Sequence, residues 1–234
     1  MKIRLLIIGL LSYISNVHSG QNSFELFLHG NELYKQGDYL QALEKYQEIE
    51  KPWYVVYAHI GDALYKVDNK LEALVYWRKA YDKAPFADAR KLDRSITMVR
   101  NELGIEQFAS LQQKLVTYMK MAPLMVWQLL LIVICWLTVL ISVYNRYRII
   151  RRLAWLICIM YVVLLSSAYY YDIQPKAIMI SNTVVYSGTD ERLSTHHSIQ
   201  AGQEVRILEH RNGWGKINYK SLDGWVRDDT FKSI

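Results

Sequence analysis

A few clusters in this chain carry the residue types that catalysis or metal binding uses: His196-His197, the acidic pairs Asp190-Glu191 and Asp228-Asp229, and two cysteines, Cys135 and Cys158. A metal centre needs ligands converging with matched geometry, and no Cys, Asp or Glu motif stands beside the histidines. They read as part of a solvated loop between strands. Adjacent acids usually point apart, so the two acidic pairs read as surface turns. Each cysteine lies inside a long apolar run, as a small apolar residue facing lipid or another helix, so neither a disulfide framework nor a thiolate metal site can form outside those runs. No Gly-x-Ser-x-Gly, His-Glu-x-x-His or Gly-rich phosphate loop is present. The expectation is a protein that is not an enzyme, with no cofactor and no metal.

The elements around these residues suggest a binding role. The 234 residues carry a net charge of +6 but are 52 % hydrophobic and 13 % aromatic, which points toward a membrane before nucleic acid. The run "YNRYRIIRRLAW" concentrates positive charge in Arg146, Arg148, Arg151 and Arg152. It lies between residues 123–144 and 153–171, which carry no charge and are each long enough to cross ~30 Å of hydrocarbon as a helix. Two transmembrane helices are therefore expected, with 145–152 as a cytoplasmic Arg-rich loop. Residues 1–19 have the anatomy of a signal peptide: Lys2 and Arg4, an apolar stretch, then small residues up to Ser19. Both observations place the flanking regions outside the cytoplasm, and nucleic acid is not expected as a partner.

Between the leader and the first apolar run the sequence repeats itself. "GNELYKQGDYLQALEKY" starts at Gly30 and "GDALYKVDNKLEALVYW" at Gly61, with Gly, Leu, Tyr-Lys, Ala-Leu and an aromatic at equal offsets. Such periodicity indicates a helical solenoid. The segments resemble tetratricopeptide repeats through Gly30, Leu33, Ala42 and Tyr46, then Gly61, Leu64, Ala73, Trp77, Ala80 and Pro85. The offset of 31 residues is short of the usual ~34, and Pro52 implies a shortened second helix in the first repeat. Leu92, Ile96, Val99 and Leu103 form an apolar stripe ended by Gly104, which reads as a capping helix, so residues 22–104 make one array. A helical stalk is expected over 105–122. The resemblance implies a partner-binding groove lined by Phe27, Asn31, Tyr34, Lys35, Asp62, Tyr65 and Lys66. The same side chains would also serve to pack onto the capping helix.

Residues 173–234 change to short alternating strands broken by Gly, Asn and Asp, as in a small barrel. They resemble a bacterial SH3-like domain through Val184-Val185-Tyr186, Gly188, Gly202, Gly213-Trp214 and Gly224-Trp225-Val226. Tyr186, Trp214 and Trp225 are its candidate ligand face, although the tryptophans are equally suited to its core and at least one of them is expected there. The complete order is an all-α tetratricopeptide array, two transmembrane helices and a small all-β SH3-like barrel. It resembles the BatE-type (Bacteroides aerotolerance operon) membrane proteins. That resemblance implies an inner-membrane adaptor with both folded domains periplasmic. Its partners would be von Willebrand factor A-domain membrane proteins of an envelope stress-tolerance complex with a MoxR-type ATPase. The alternative is a peptidoglycan-binding envelope sensor acting through the barrel.

Overall fold

In a computed structural model, residues 22–105, 124–144, 148–190, 194–219 and 222–234 are described. The expected signal peptide, the stalk from 106 onward and Arg146 lie outside them. The chain divides into two compact units, one formed by residues 1–105 together with 176–234 and the other by 106–175.

The first unit begins with helix α1 (22–36), followed by α2 (Tyr39–Gln47), α3 (Tyr54–Lys66), α4 (Lys70–Lys83) and α5 (Phe86–Glu102). The internal repeat becomes two helical hairpins. α1 ends at Gly37, whose φ of +91° lets the Gly37 and Asp38 amides donate to the Tyr34 and Leu33 carbonyls. Asp68 ends α3 in the same way at φ +62°, with Asp68 and Asn69 donating to Tyr65 and Leu64. α4 then starts under an Asn69 cap that accepts from the Glu72 amide at 3.4 Å. The shortened helix foreseen before Pro52 is present: α2 has 9 residues against 14 in α4.

Close packing explains the repeated glycine. A Cβ on Gly30 would stand 2.5 Å from Tyr46 Cε1, and one on Gly61 would stand 2.5 Å from Trp77 Cδ1. Glycine is needed so that each hairpin can seat its aromatic ring against the facing backbone. Ala42, Val56, Ile60, Leu64, Leu74 and Ala80 fill the space around these rings, and Leu92, Ile96 and Val99 of α5 close the array.

The C-terminal segment folds as β1 (Lys176–Met179), β2 (Thr183–Tyr186), β3 (Ser194–Ile199), β4 (Glu204–Arg211), β5 (Trp214–Tyr219), β6 (Leu222–Arg227) and β7 (Phe231–Ser233). These strands form one antiparallel sheet in the order β3-β2-β6-β5-β4-β1-β7. Alternation puts Val205, Ile207, Ile217 and Val226 on the inner face, with Met179, Ile199 and Phe231. His196-His197 belongs to β3 rather than to a loop.

The barrel and the helices share a core. Ile178 is fully buried within the helical cluster, and Ile180 and Ile234 pack against it. Gly202 abuts Ile105 and Leu71. Across this seam Glu204 of β4 meets Arg78 of α4 at 3.3 Å and Arg100 of α5 at 3.4 Å. Lys232 also pairs with Glu72.

The second unit is a hairpin of α6 (Leu124–Tyr144) and α7 (Arg148–Ile173). Here the sequence expectation is corrected. Among the described residues no helix is long and apolar enough to cross a membrane. α7 also begins within the arginine cluster and extends past Asp172. The two transmembrane helices are thus withdrawn, and with them the inner-membrane location, the periplasmic domains and the cytoplasmic loop. From Arg148 onward the supposed loop is helix.

Candidate functional site

The groove residues expected from the repeat pattern come together on α1 and α3, and several have partners inside the array. Asn31 Oδ1 accepts from the Tyr46 hydroxyl at 2.8 Å, and Asp62 Oδ1 accepts from Trp77 Nε1 at 2.9 Å. The two bonds join equivalent positions of successive repeats, so the polar residue after each glycine anchors the ring that the glycine admits. Phe27 lies in an aromatic cluster, with ring centroids 5.3 Å from Trp53 and 5.2 Å from His59. Tyr34 meets Tyr39 edge-on at 5.1 Å, while the Tyr65 hydroxyl donates to Glu102 on the capping helix at 3.0 Å. Lys35 and Lys66 are exposed at matching offsets.

Burial sets the electrostatics of this face. It raises the Asp62 carboxyl above its ordinary range, although the Trp77 bond and the charges of His59 and Lys66 oppose the shift. It lowers His59 and pushes Tyr46 up to about 12. Tyr34 is raised by burial and by the charge of Asp62, so the two side chains share one patch. His59 escaped the sequence reading because the repeats have no matching histidine. Its signal was the tyrosine-rich stretch "WYVVYAHIGDALY" around it.

On the barrel, strand register places Tyr186 opposite Trp225 and Trp225 opposite Lys216, with Trp214 opposite Arg227. Residues directly opposite share a face, so these side chains form one outward patch across β2, β6 and β5. Tyr186 and Trp214 meet edge-to-face at 5.2 Å, and the Arg227 guanidinium lies 5.9 Å from the Trp214 ring. All three aromatics are half-buried, and neither tryptophan belongs to the core, against the expectation that at least one would. The structure therefore brings the three expected face residues together. Arg148, Arg151 and Arg152 lie on α7, where the Arg152 side chain is exposed.

Among the described residues no group of three or more His, Cys, Asp or Glu could hold a metal ion. His210 Nδ1 faces Asp228 Oδ1 at 3.3 Å on the exposed surface.

No family model and no curated protein matches the chain, so neither comparison supports the tetratricopeptide or BatE-type resemblance. Among solved structures, the chain is similar to the C-terminal SH3 domain of myosin IB from Entamoeba histolytica, at 22 % identity and a TM-score of 0.21. That match covers 26 % of this chain and 95 % of the other. A second structure of that domain, bound to an EhFP10(GEF) peptide, gives 23 % identity over 26 % of this chain and 83 % of the other, with a TM-score of 0.21.

Proposed function

We propose that this chain is a non-enzymatic adaptor that binds protein partners through its helical repeats and its SH3-like barrel. The observation that carries the reading is the duplicated edge of the array. Tyr34-Lys35 and Tyr65-Lys66 recur at equal offsets on α1 and α3, with both lysines exposed and both tyrosines half-buried. An aromatic edge with flanking cations suits an extended segment bearing apolar and acidic side chains. The resemblance described above would place such partners in an envelope stress-tolerance complex that includes von Willebrand factor A-domain proteins. A photo-crosslinking residue at Lys35 or Lys66 in the full chain tests this in cells. Discrete adducts that vanish with Tyr34→Ala and Tyr65→Ala are expected, and no adduct from either position would end the proposal.

A second reading rests on the Tyr186–Trp214 pair, whose outward edge-to-face rings offer a stacking surface for a wall glycan. Cosedimentation of the full chain with purified peptidoglycan, lost in Trp214→Ala, would favour it over a protein ligand for the barrel.

A further inference from the structure

Cys135 and Cys158 are the only cysteines in the chain, and they face each other across the α6–α7 hairpin with sulfurs 3.6 Å apart. Both are free thiols. Their surroundings form a narrow seam in a hairpin whose other apolar side chains are largely exposed. Thr138, one turn beyond Cys135, is buried and turns its hydroxyl back onto the Cys135 carbonyl at 2.7 Å. Ala154, one turn before Cys158, is buried as well. Small side chains at these positions let the helices approach. Tyr161 adds a crossing bond, its hydroxyl donating to the Trp127 carbonyl at 3.3 Å. The pairing of the two helices is thus held by contacts other than the thiols.

We propose that Cys135 and Cys158 are a peroxide-sensitive dithiol whose oxidation to an intramolecular disulfide locks α6 to α7. Cys135 is partly exposed and Cys158 is buried, which sets the order of the steps. The Cys135 sulfur attacks hydrogen peroxide, the O–O bond breaks, and Cys135 becomes a sulfenic acid with release of water. The Cys158 sulfur then attacks the sulfenic sulfur and displaces a second water as the S–S bond forms. Two thiols and one peroxide give one disulfide and two waters, so atoms and electrons balance. The sulfurs must close from 3.6 Å to about 2.05 Å, a shift that side-chain rotation and slight helix approach can supply. A small oxidant fits this seam better than a bulky disulfide donor.

The test uses the full wild-type chain, treated with hydrogen peroxide, alkylated and digested with trypsin without reductant. Cleavage at Arg146 and Arg152 separates peptide 121–146, which holds Cys135, from peptide 153–176, which holds Cys158. The two peptides should be recovered joined, and a phosphine reductant should separate them. The native chain should form the link at least ~10-fold faster than the same chain in denaturant, because the sulfurs are already held together. In Cys158→Ser, Cys135 should instead be trapped as a sulfenic acid by dimedone. Three results would overturn the proposal: recovery of both peptides singly alkylated, equal rates in the native and denatured chains, or a link found only between isotopically distinct copies of the chain.

Discussion

Arg78 and Glu204 lie 126 positions apart in the chain and meet at 3.3 Å, where the helical array closes on the barrel. Arg100 reaches the other carboxylate oxygen at 3.4 Å. Each of the three side chains is at most 16 % exposed, so this is a buried carboxylate shared by two guanidiniums. The Nε atoms of Arg78 and Arg100 find no hydrogen-bond partner among the described residues. The array and the barrel are therefore joined by a polar cluster whose members depend on one another.

Removing its centre should cost far more than removing a surface pair. Glu204→Ala leaves two buried guanidiniums facing each other and is expected to destabilise the chain by about 3–5 kcal/mol. Lys232→Ala, which breaks the more exposed bond to Glu72, should cost under ~1 kcal/mol and respond to salt. Urea unfolding of both variants gives the comparison, and equal losses would show that the cluster does not hold the seam.

The same carboxylate should shape acid stability. Burial alone would raise Glu204, but Arg78, Arg100 and Lys176 outweigh it and hold the group below its ordinary range. A depressed carboxyl contributes stability that is present above its unfolded value, about 4.3, and is lost as pH falls through the folded one. Urea midpoints followed from about pH 6 downward should fall less steeply in Glu204→Gln than in wild type.

Gly61→Ala places a methyl 2.5 Å from the Trp77 ring, and Gly30→Ala does the same to Tyr46. Each should cost about 1–3 kcal/mol, because a large buried ring cannot retreat within a packed hairpin. Circular dichroism melts would show both. Gly213→Ala is the control: its added carbon meets nothing within 4 Å, so the loss there reports only the φ of +81°.

Asp62 presents the opposite sign from Glu204. Its carboxyl is raised by burial, so the folded state favours the protonated form. That contribution is present below the unfolded value of about 3.9 and is lost as pH rises through the folded one. Asp62→Asn keeps the acceptor for Trp77 Nε1 without the buried charge, and should match or exceed wild-type stability at neutral pH. Asp62→Ala strands the indole N–H and should cost about 1–3 kcal/mol. A urea series from about pH 4 to 7 separates the effects, since the midpoint of Asp62→Asn relative to wild type should rise with pH.

The parts of this architecture that were legible are those whose packing leaves a local, repeated trace. Gly30 with Tyr46 and Gly61 with Trp77 had to recur at one offset, because each ring needs a facing backbone with no side chain. Gly104 ends α5 at φ +63°, and that stop was readable as well. The barrel strands showed through alternation, and the outward setting of Tyr186, Trp214 and Trp225 followed once register was known. The docking of barrel on array was not legible. Arg78, Arg100 and Glu204 sit in three distant elements, and each reads singly as a solvated charge. The spans were misjudged because an uncharged run marks where charge is missing, whereas α7 starts inside the arginine cluster and continues past Asp172. The cysteines read as apolar filler because nothing in their spacing told which faces of two helices would meet.

The two hairpins close with the same turn but with different residues at its left-handed position, Gly37 in the first and Asp68 in the second. A Cβ at φ +62° is strained, and Asp68 offers little in return. Its carboxylate is 87 % exposed and reaches Lys70 at only 3.5 Å. That lysine has a second partner in Glu102 at 3.2 Å, which it keeps if Asp68 is changed. Nothing stands within 4 Å of the equivalent position on Gly37, so the turn itself makes no demand for a side chain. Asp68→Gly should therefore stabilise the chain by about 0.5–1 kcal/mol, the relief of strain exceeding the added freedom of the unfolded chain. Gly37→Asp, the reverse exchange, should destabilise by a similar amount. Thermal melts of the two variants in the same buffer would test the pair, and shifts of the same sign would contradict the equivalence of the turns.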